Sequence, residues 1–347
     1  MKKYNKLKRE KLFKLFSDNF EWVKELNSFQ LEPNLTNVYV CPICLNIFLE
    51  TDLNTTLPIH LTLEDIPPAS LGGKPLVLTC NECNSRSGSG LDKHLLNILL
   101  ENDFSSCFPH AEIRASFELN GNIVNGMVKI DKERKISIIS NSKSSNPKNL
   151  IDFSKAINPS GILQNNFSDF NNPFKQTFGK PHETKILIKP HKKTETRRAE
   201  IALLRIGYLL AFATFGNSFL LNNGLGKIRE QILNPDKNIM PKVFWIKYEF
   251  SKEFEGVNII TSPKELQSFL IIFSLSTKSC NRQYSIVIPG PYDTELKIYD
   301  FLSTLSIGDG SKFLEVKTEK IPTYNYLKNK STAFAPLIFW QKYINKL

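Results

Sequence analysis

Apolar residues recur at three- and four-residue steps through Leu12, Phe13, Phe16, Phe20, Val23 and Leu26, which predicts an amphipathic helix over residues 3–28. Lys3, Lys6, Lys8, Arg9, Lys11 and Lys14 crowd its first half, so the helix has an apolar stripe and a basic flank. The period then changes to two. Over residues 59–64 alternation places His60, Thr62 and Glu64 on one face of a strand and Ile59, Leu61 and Leu63 on the other. Leu91, Leu95, Ile98 and Leu99 return to helical spacing. A β-meander follows in AEIRASFEL (111–119), IVNGMVKI (123–130) and KISIIS (135–140), with Asn120-Gly121-Asn122 and the polar run Asp131 to Lys135 as its turns. Between Ser140 and Gly179 the chain turns to Asn, Ser, Pro and Lys with scattered Phe, the composition of a long loop or linker.

The second half opens with a short strand, KILIKP (185–190), and a long helix from Thr196 to Leu221. Its largely apolar run raises the question of a membrane span. Arg205 lies well inside it, and Gly207, Thr214, Gly216 and Asn217 interrupt it, so a buried central helix is expected and no membrane partner. LGKIREQI (225–232) reads as a second helix, and the Gly224 to Gly226 pair before it as a helix break without the context of a nucleotide loop. From Lys242 the chain reads as strand-rich: KVFWIKYEF, GVNII, LQSFLIIFSL, YSIVIPG, the aromatic-containing ELKIYDFL and KFLEVKTEKI, with a helical end in PLIFWQKYINKL. The fold class is α+β. Four parts are expected: a basic N-terminal helix (1–37), a small module (38–104), a meander with its linker (105–180), and an α+β C-terminal domain (181–347) able to hold a protein partner.

Composition narrows this further. The chain has 347 residues, 41% of them hydrophobic, with 25 Phe, which excludes a disordered protein and leaves room for two or three compact units. A formal charge of +11 points to an anionic partner, nucleic acid being the commonest, although Lys- and Asn-rich chains are also basic for compositional reasons. MKKYNKLKREKLFKLF has a charged start but no continuous apolar core of a signal peptide behind it. Six cysteines make no disulfide framework in a chain this long, and a reducing, cytoplasmic setting is expected.

Four of those cysteines fall into two Cys-x-x-Cys pairs, Cys41 with Cys44 and Cys80 with Cys83, bracketing about 35 residues. Each pair can aim both sulfurs at one point, the ligand arithmetic of a closed four-thiolate Zn²⁺ site. The alternatives are unliganded thiols, or a redox pair that leaves the second pair unexplained. Cys107 and Cys280 remain as free thiols.

What surrounds the cysteines is more specific. CPIC, then LTLEDIPPASLGGK, then LTCNECN resembles the zinc-stapled branch of the HNH nucleases over residues 38–101. The resemblance implies a ββα-metal module with structural zinc. It also implies a divalent-metal-dependent endonuclease acting on DNA, of a kind that in bacteria often serves in defence against foreign DNA. Glu64 falls on the family's metal-binding acid, Asp65 on its general-base histidine, Asn84 on its last metal ligand, and Gly72-Gly73 on the turn. The sequence departs from the family in having Asp65 for the histidine and Pro75 near the usual middle asparagine.

Hydrolysis of a phosphodiester needs a hard cation and a base, and the oxygens of Glu64, Asp65 and Asn84 suit Mg²⁺ or Mn²⁺. An aspartate near its ordinary pKa of about 3.9 is a weak base at neutral pH. Its surroundings must raise that value, or another group must serve, and His60 is the nearest, either as that base or as a surface histidine. His94 is a further candidate, either as base or as a solvated helix residue. Lys74 and Arg86 are candidate phosphate contacts. Lys6, Arg9 and Lys11 read either as DNA contacts or as the solvated flank of a helix that docks on the module. The alternative to a nuclease is a catalytically degenerate zinc module that binds nucleic acid or protein.

Overall fold

The computed structural model describes residues 2–25, 35–141, 145–157, 186–190, 194–241, 244, 249–291, 293, 295–306, 315–321 and 326–338. In chain order the first elements are helix α1 (Lys2–Glu25), the two-residue strands β1 (Tyr39–Val40) and β2 (Ile47–Phe48), strands β3 (Leu61–Ile66) and β4 (Lys74–Cys80), and helices α2 (Asn81–Ser87) and α3 (Lys93–Ser105). A single π-helical turn, Gly88–Asp92, joins α2 to α3. Next come strands β5 (Glu112–Leu119), β6 (Asn122–Ile130) and β7 (Ile136–Ser140), helix α4 (Pro147–Ile157), strand β8 (Leu187–Pro190), and helices α5 (Thr196–Phe215), α6 (Asn217–Leu220) and α7 (Leu225–Leu233). Strands β9 (Gly256–Ser262), β10 (Ser268–Ser276) and β11 (Asn281–Pro289), helix α8 (Lys297–Ser306), strand β12 (Lys317–Lys320) and helix α9 (Ala335–Ile338) complete the described chain.

The α+β class holds, and the chain divides into two compact units. Residues 1–96, 195–276 and 281–347 form one, and residues 97–194 with 277–280 form the other. The N-terminal helix, the cysteine-bearing segment and most of the C-terminal half fall in the first of these units.

In the first unit α5 is buried along its length, with Ile201, Leu204, Arg205, Ile206, Leu209 and Phe212 at its core-facing positions. A Cβ on Gly207 would lie 2.9 Å from Cβ of Ile286 on β11, so this glycine lets the helix lie close against the sheet. That sheet is antiparallel in the order β11-β10-β9-β12. Its β10 is covered on both faces, which is why the run FLIIF shows no alternation. The α1 stripe is the predicted one: Leu12, Phe13, Phe16, Phe20 and Val23 are buried, and Phe16 stacks on Phe212 of α5 at 4.9 Å between centroids. No described helix is long and apolar enough to cross a membrane.

Several expected elements end elsewhere. The long helix stops at Phe215, because Gly216 takes φ +73° and a Cβ there would meet Asn19 Oδ1 at 2.4 Å. ELKIYDFL is helical: Ile298, Tyr299 and Leu302, buried at helical spacing in α8, decide it over strand propensity. Of KVFWIKYEF, residues 242–243 and 245–248 lie outside the described residues, as do 26–28 of the expected first helix, 142–144 and 158–179 of the expected linker, 312–314 of KFLEVKTEKI and 339–347 of the expected terminal helix.

The second unit is the meander, an antiparallel sheet in the order β7-β6-β5-β8. Asn120 and Gly121 turn with φ of 51° and 78°, the left-handed pair that a two-residue hairpin turn requires. KILIKP, expected to open the C-terminal domain, pairs with β5 here instead. The amphipathic α4, hidden in sequence inside a polar stretch, brings Phe153 against Phe117 at 6.4 Å.

Candidate metal centre

The chain between Val40 and Ile47 folds back as a tight knuckle, with Cys41 N–H donating to Asn46 O and Leu45 N–H to Cys41 O, each at 2.9 Å. Leu45 takes φ 63° to make this turn. Cys80 ends β4 and caps α2, its sulfur accepting from Cys83 N–H at 3.4 Å, while Cys41 sulfur accepts from Cys80 N–H at 3.5 Å. The four sulfurs all lie within 4.8 Å of one another. Cys44 and Cys80 sulfurs are 3.8 Å apart, against roughly 3.8 Å for a tetrahedron with Zn–S bonds of about 2.3 Å.

Cys41, Cys80 and Cys83 are buried and Cys44 is half-buried. The neighbouring thiols, Cys41 first, donate to Cys80 and hold its pKa far below the ordinary thiol value. Cys44 is lowered too, chiefly by Cys41, whereas Cys83 and Cys41 are raised by their hydrogen bonds within the cluster. These residues fit structural Zn²⁺, which would cross-link the knuckle to the end of the β3–β4 hairpin. Among the described residues this is the only group of three or more His, Cys, Asp or Glu side chains that could hold a metal ion.

β3 and β4 pair antiparallel with a register shift between Glu64 and Asp65, and α2 follows β4 directly. The hairpin turn depends on its glycines: Gly72 takes φ +90°, and a Cβ on Gly73 would fall 1.4 Å from Pro67 O. Asn84, on α2, donates through Nδ2 to Thr62 Oγ1 at 2.9 Å and to Leu63 O at 3.1 Å, so its amide fastens the helix to β3.

Glu64 is 3% exposed. Its Oε2 accepts from Thr79 Oγ1 at 2.9 Å, and its Oε1 accepts from Arg205 Nη2 at 2.5 Å. Arg205, 1% exposed, donates through Nη1 to both oxygens of Asp92, at 3.2 and 3.3 Å. Burial works against the guanidinium charge, but Glu64 and Asp92 outweigh it and raise the Arg205 pKa. Burial also pushes Asp92 up to about 6, against the pull of Arg205 and with a push from Glu64. Asp65 is half-buried, and burial followed by the Glu64 charge raises its pKa, the direction a base at this position needs.

The other sequence candidates stand apart from this group. His60 precedes β3, with Nδ1 at 2.7 Å from Leu57 O and its backbone bonded to Asn81, and among the described residues its ring meets neither Glu64 nor Asp65. His94 is a buried joint rather than a solvated helix residue: its Nδ1 accepts from Glu195 N–H at 3.0 Å, at the start of α5. Arg86 is exposed and paired with Glu82 at 2.9 Å, and Lys74 is exposed at the start of β4. On α1 Lys6 and Lys11 are exposed, and Arg9 is half-buried with its Nε out of solvent.

Mg²⁺ or Mn²⁺ does not fit the expected set in this conformation, because Glu64 is engaged by Arg205 and the Asn84 amide by β3. Asp92 had no part in the sequence reading, and Arg205 entered it only as the charge that argues against a membrane span. The signal for the pairing was that arginine inside an apolar helix, a residue that must find a buried carboxylate.

No family model matches this chain, and no curated protein or solved structure matches it either.

Proposed function

We propose that this chain is a zinc-stabilised nucleic-acid-binding protein built on an HNH-like ββα unit, and that the unit holds DNA without hydrolysing it while Arg205 is paired with Glu64. The observation that carries the reading is the position of Glu64. It lies on the first strand of a hairpin stapled by four cysteines and followed by a helix, where the resemblance expects a metal-binding acid, and its carboxylate is already neutralised by a guanidinium. The net charge of +11 and the exposed Lys6, Lys11 and Lys14 on α1 favour an anionic partner.

The second reading, an endonuclease using Mg²⁺ or Mn²⁺, is favoured by the place of Asp65, half-buried beside Glu64 at the register shift of the β3–β4 hairpin. It requires Glu64 to be released.

Gel-shift titration of the zinc-loaded protein against duplex DNA over a range of salt tests the proposal. Exchanging Lys6, Lys11 and Lys14 for Gln is expected to weaken binding and to flatten the log–log salt dependence by roughly 0.9 per lost phosphate contact. An unchanged slope assigns those lysines to solvent. Absence of any shift by the wild-type protein at low salt overturns the proposal.

A further inference from the structure

Arg205 holds Glu64 and Asp92 as a bridging cation would. One arm of the guanidinium goes to each carboxylate, Nη2 to Glu64 and Nη1 to Asp92, and Nε is buried without a partner among the described residues. Both carboxylates come from the ββα unit and its continuation, Glu64 from β3 and Asp92 from the π-helical turn, while the cation arrives from α5. The helix is tied on either side of Arg205. His94 accepts from the N–H of Glu195 ahead of it, and Gly207 lies against Ile286 behind it. An arginine keeps its charge at any pH the fold survives, so titration cannot vacate this place; only movement or substitution of the side chain can. A second cation brought to the same oxygens would meet the guanidinium in a surrounding where like charges repel far more strongly than in water.

We propose that Glu64 and Asp92 form a two-carboxylate cation site whose occupant in this fold is the guanidinium of Arg205, and that the protein takes up no Mg²⁺ or Mn²⁺ at Glu64 until Arg205 leaves. The inference rests on the HNH-like reading only for the meaning of Glu64, and its test needs no DNA.

Free Mn²⁺ is followed by electron paramagnetic resonance during titration of the zinc-loaded, full-length protein. Wild type and Glu64→Gln are expected to take up Mn²⁺ alike. Arg205→Met is expected to gain a site roughly tenfold or more tighter, because the repelling cation is gone. The double variant Arg205→Met/Glu64→Gln is expected to lose that gain. Wild-type uptake that disappears in Glu64→Gln overturns the inference, and so does an Arg205→Met protein that keeps its zinc and helical dichroism but gains no site. Should Arg205→Met fail to fold, the wild-type and Glu64→Gln pair still decides: equal uptake supports the inference, and unequal uptake overturns it. If DNA binding fails while the Mn²⁺ results stand, the functional reading fails and the cation site does not.

Discussion

Cys80→Ser is expected to release the metal and to loosen the segment from the knuckle through α2, lowering unfolding stability by on the order of 5 kcal/mol or more, as structural zinc contributes in small metal-held units. Two losses coincide at this residue. Its sulfur is one corner of the four-thiolate cluster, and the same sulfur caps α2 through Cys83 N–H. The hairpin it closes is short, and its Leu78 is tied to the rest of the unit by Tyr39, whose hydroxyl donates to Leu78 O at 2.7 Å and accepts from Leu78 N–H at 3.0 Å. Zinc analysis by atomic absorption and urea unfolding check this. One zinc per chain is expected in the wild type and none in the variant; a variant that keeps its zinc would show that Cys80 is not a ligand.

Arg205→Met is expected to cost about 3–5 kcal/mol of stability, the loss seen when one partner of a buried ion pair is removed and its counter-charge stays behind. Here two counter-charges stay behind, on Glu64 and Asp92. A double-mutant cycle with Glu64→Gln separates the pair from the packing of the arginine stem: the combined variant should be less destabilised than the sum of the single ones. Strict additivity in urea unfolding would mean that the two side chains do not interact in solution as they do here.

How much of this was legible in sequence follows from the range over which each signal acts. Ligand spacing is local, so two Cys-x-x-Cys pairs announced the cluster, and the Gly72-Gly73 pair announced a turn that tolerates no side chain beside Pro67. The apolar stripe of α1 and the burial of α5 were legible because each periodicity lies within one element. The pairing of KILIKP with β5 was not, because the partner of an edge strand is chosen by tertiary contact. Helix α8 was misread because a short apolar run fits either period. Least legible was the Glu64–Arg205 pair, whose members are 141 positions apart. Alternation put Glu64 on a face with His60 and Thr62; it could not tell that a helix from the second half of the chain would reach the carboxylate.

The most direct test of the account is a plasmid-cleavage assay on the zinc-loaded wild-type protein, with Mg²⁺, Mn²⁺ and a chelator control, run beside a gel shift on the same samples. The account predicts that the plasmid is bound and left intact in every metal condition while Arg205 remains in place. Nicking or linearisation by the wild-type protein that requires Mg²⁺ or Mn²⁺ and disappears in Glu64→Gln would contradict it.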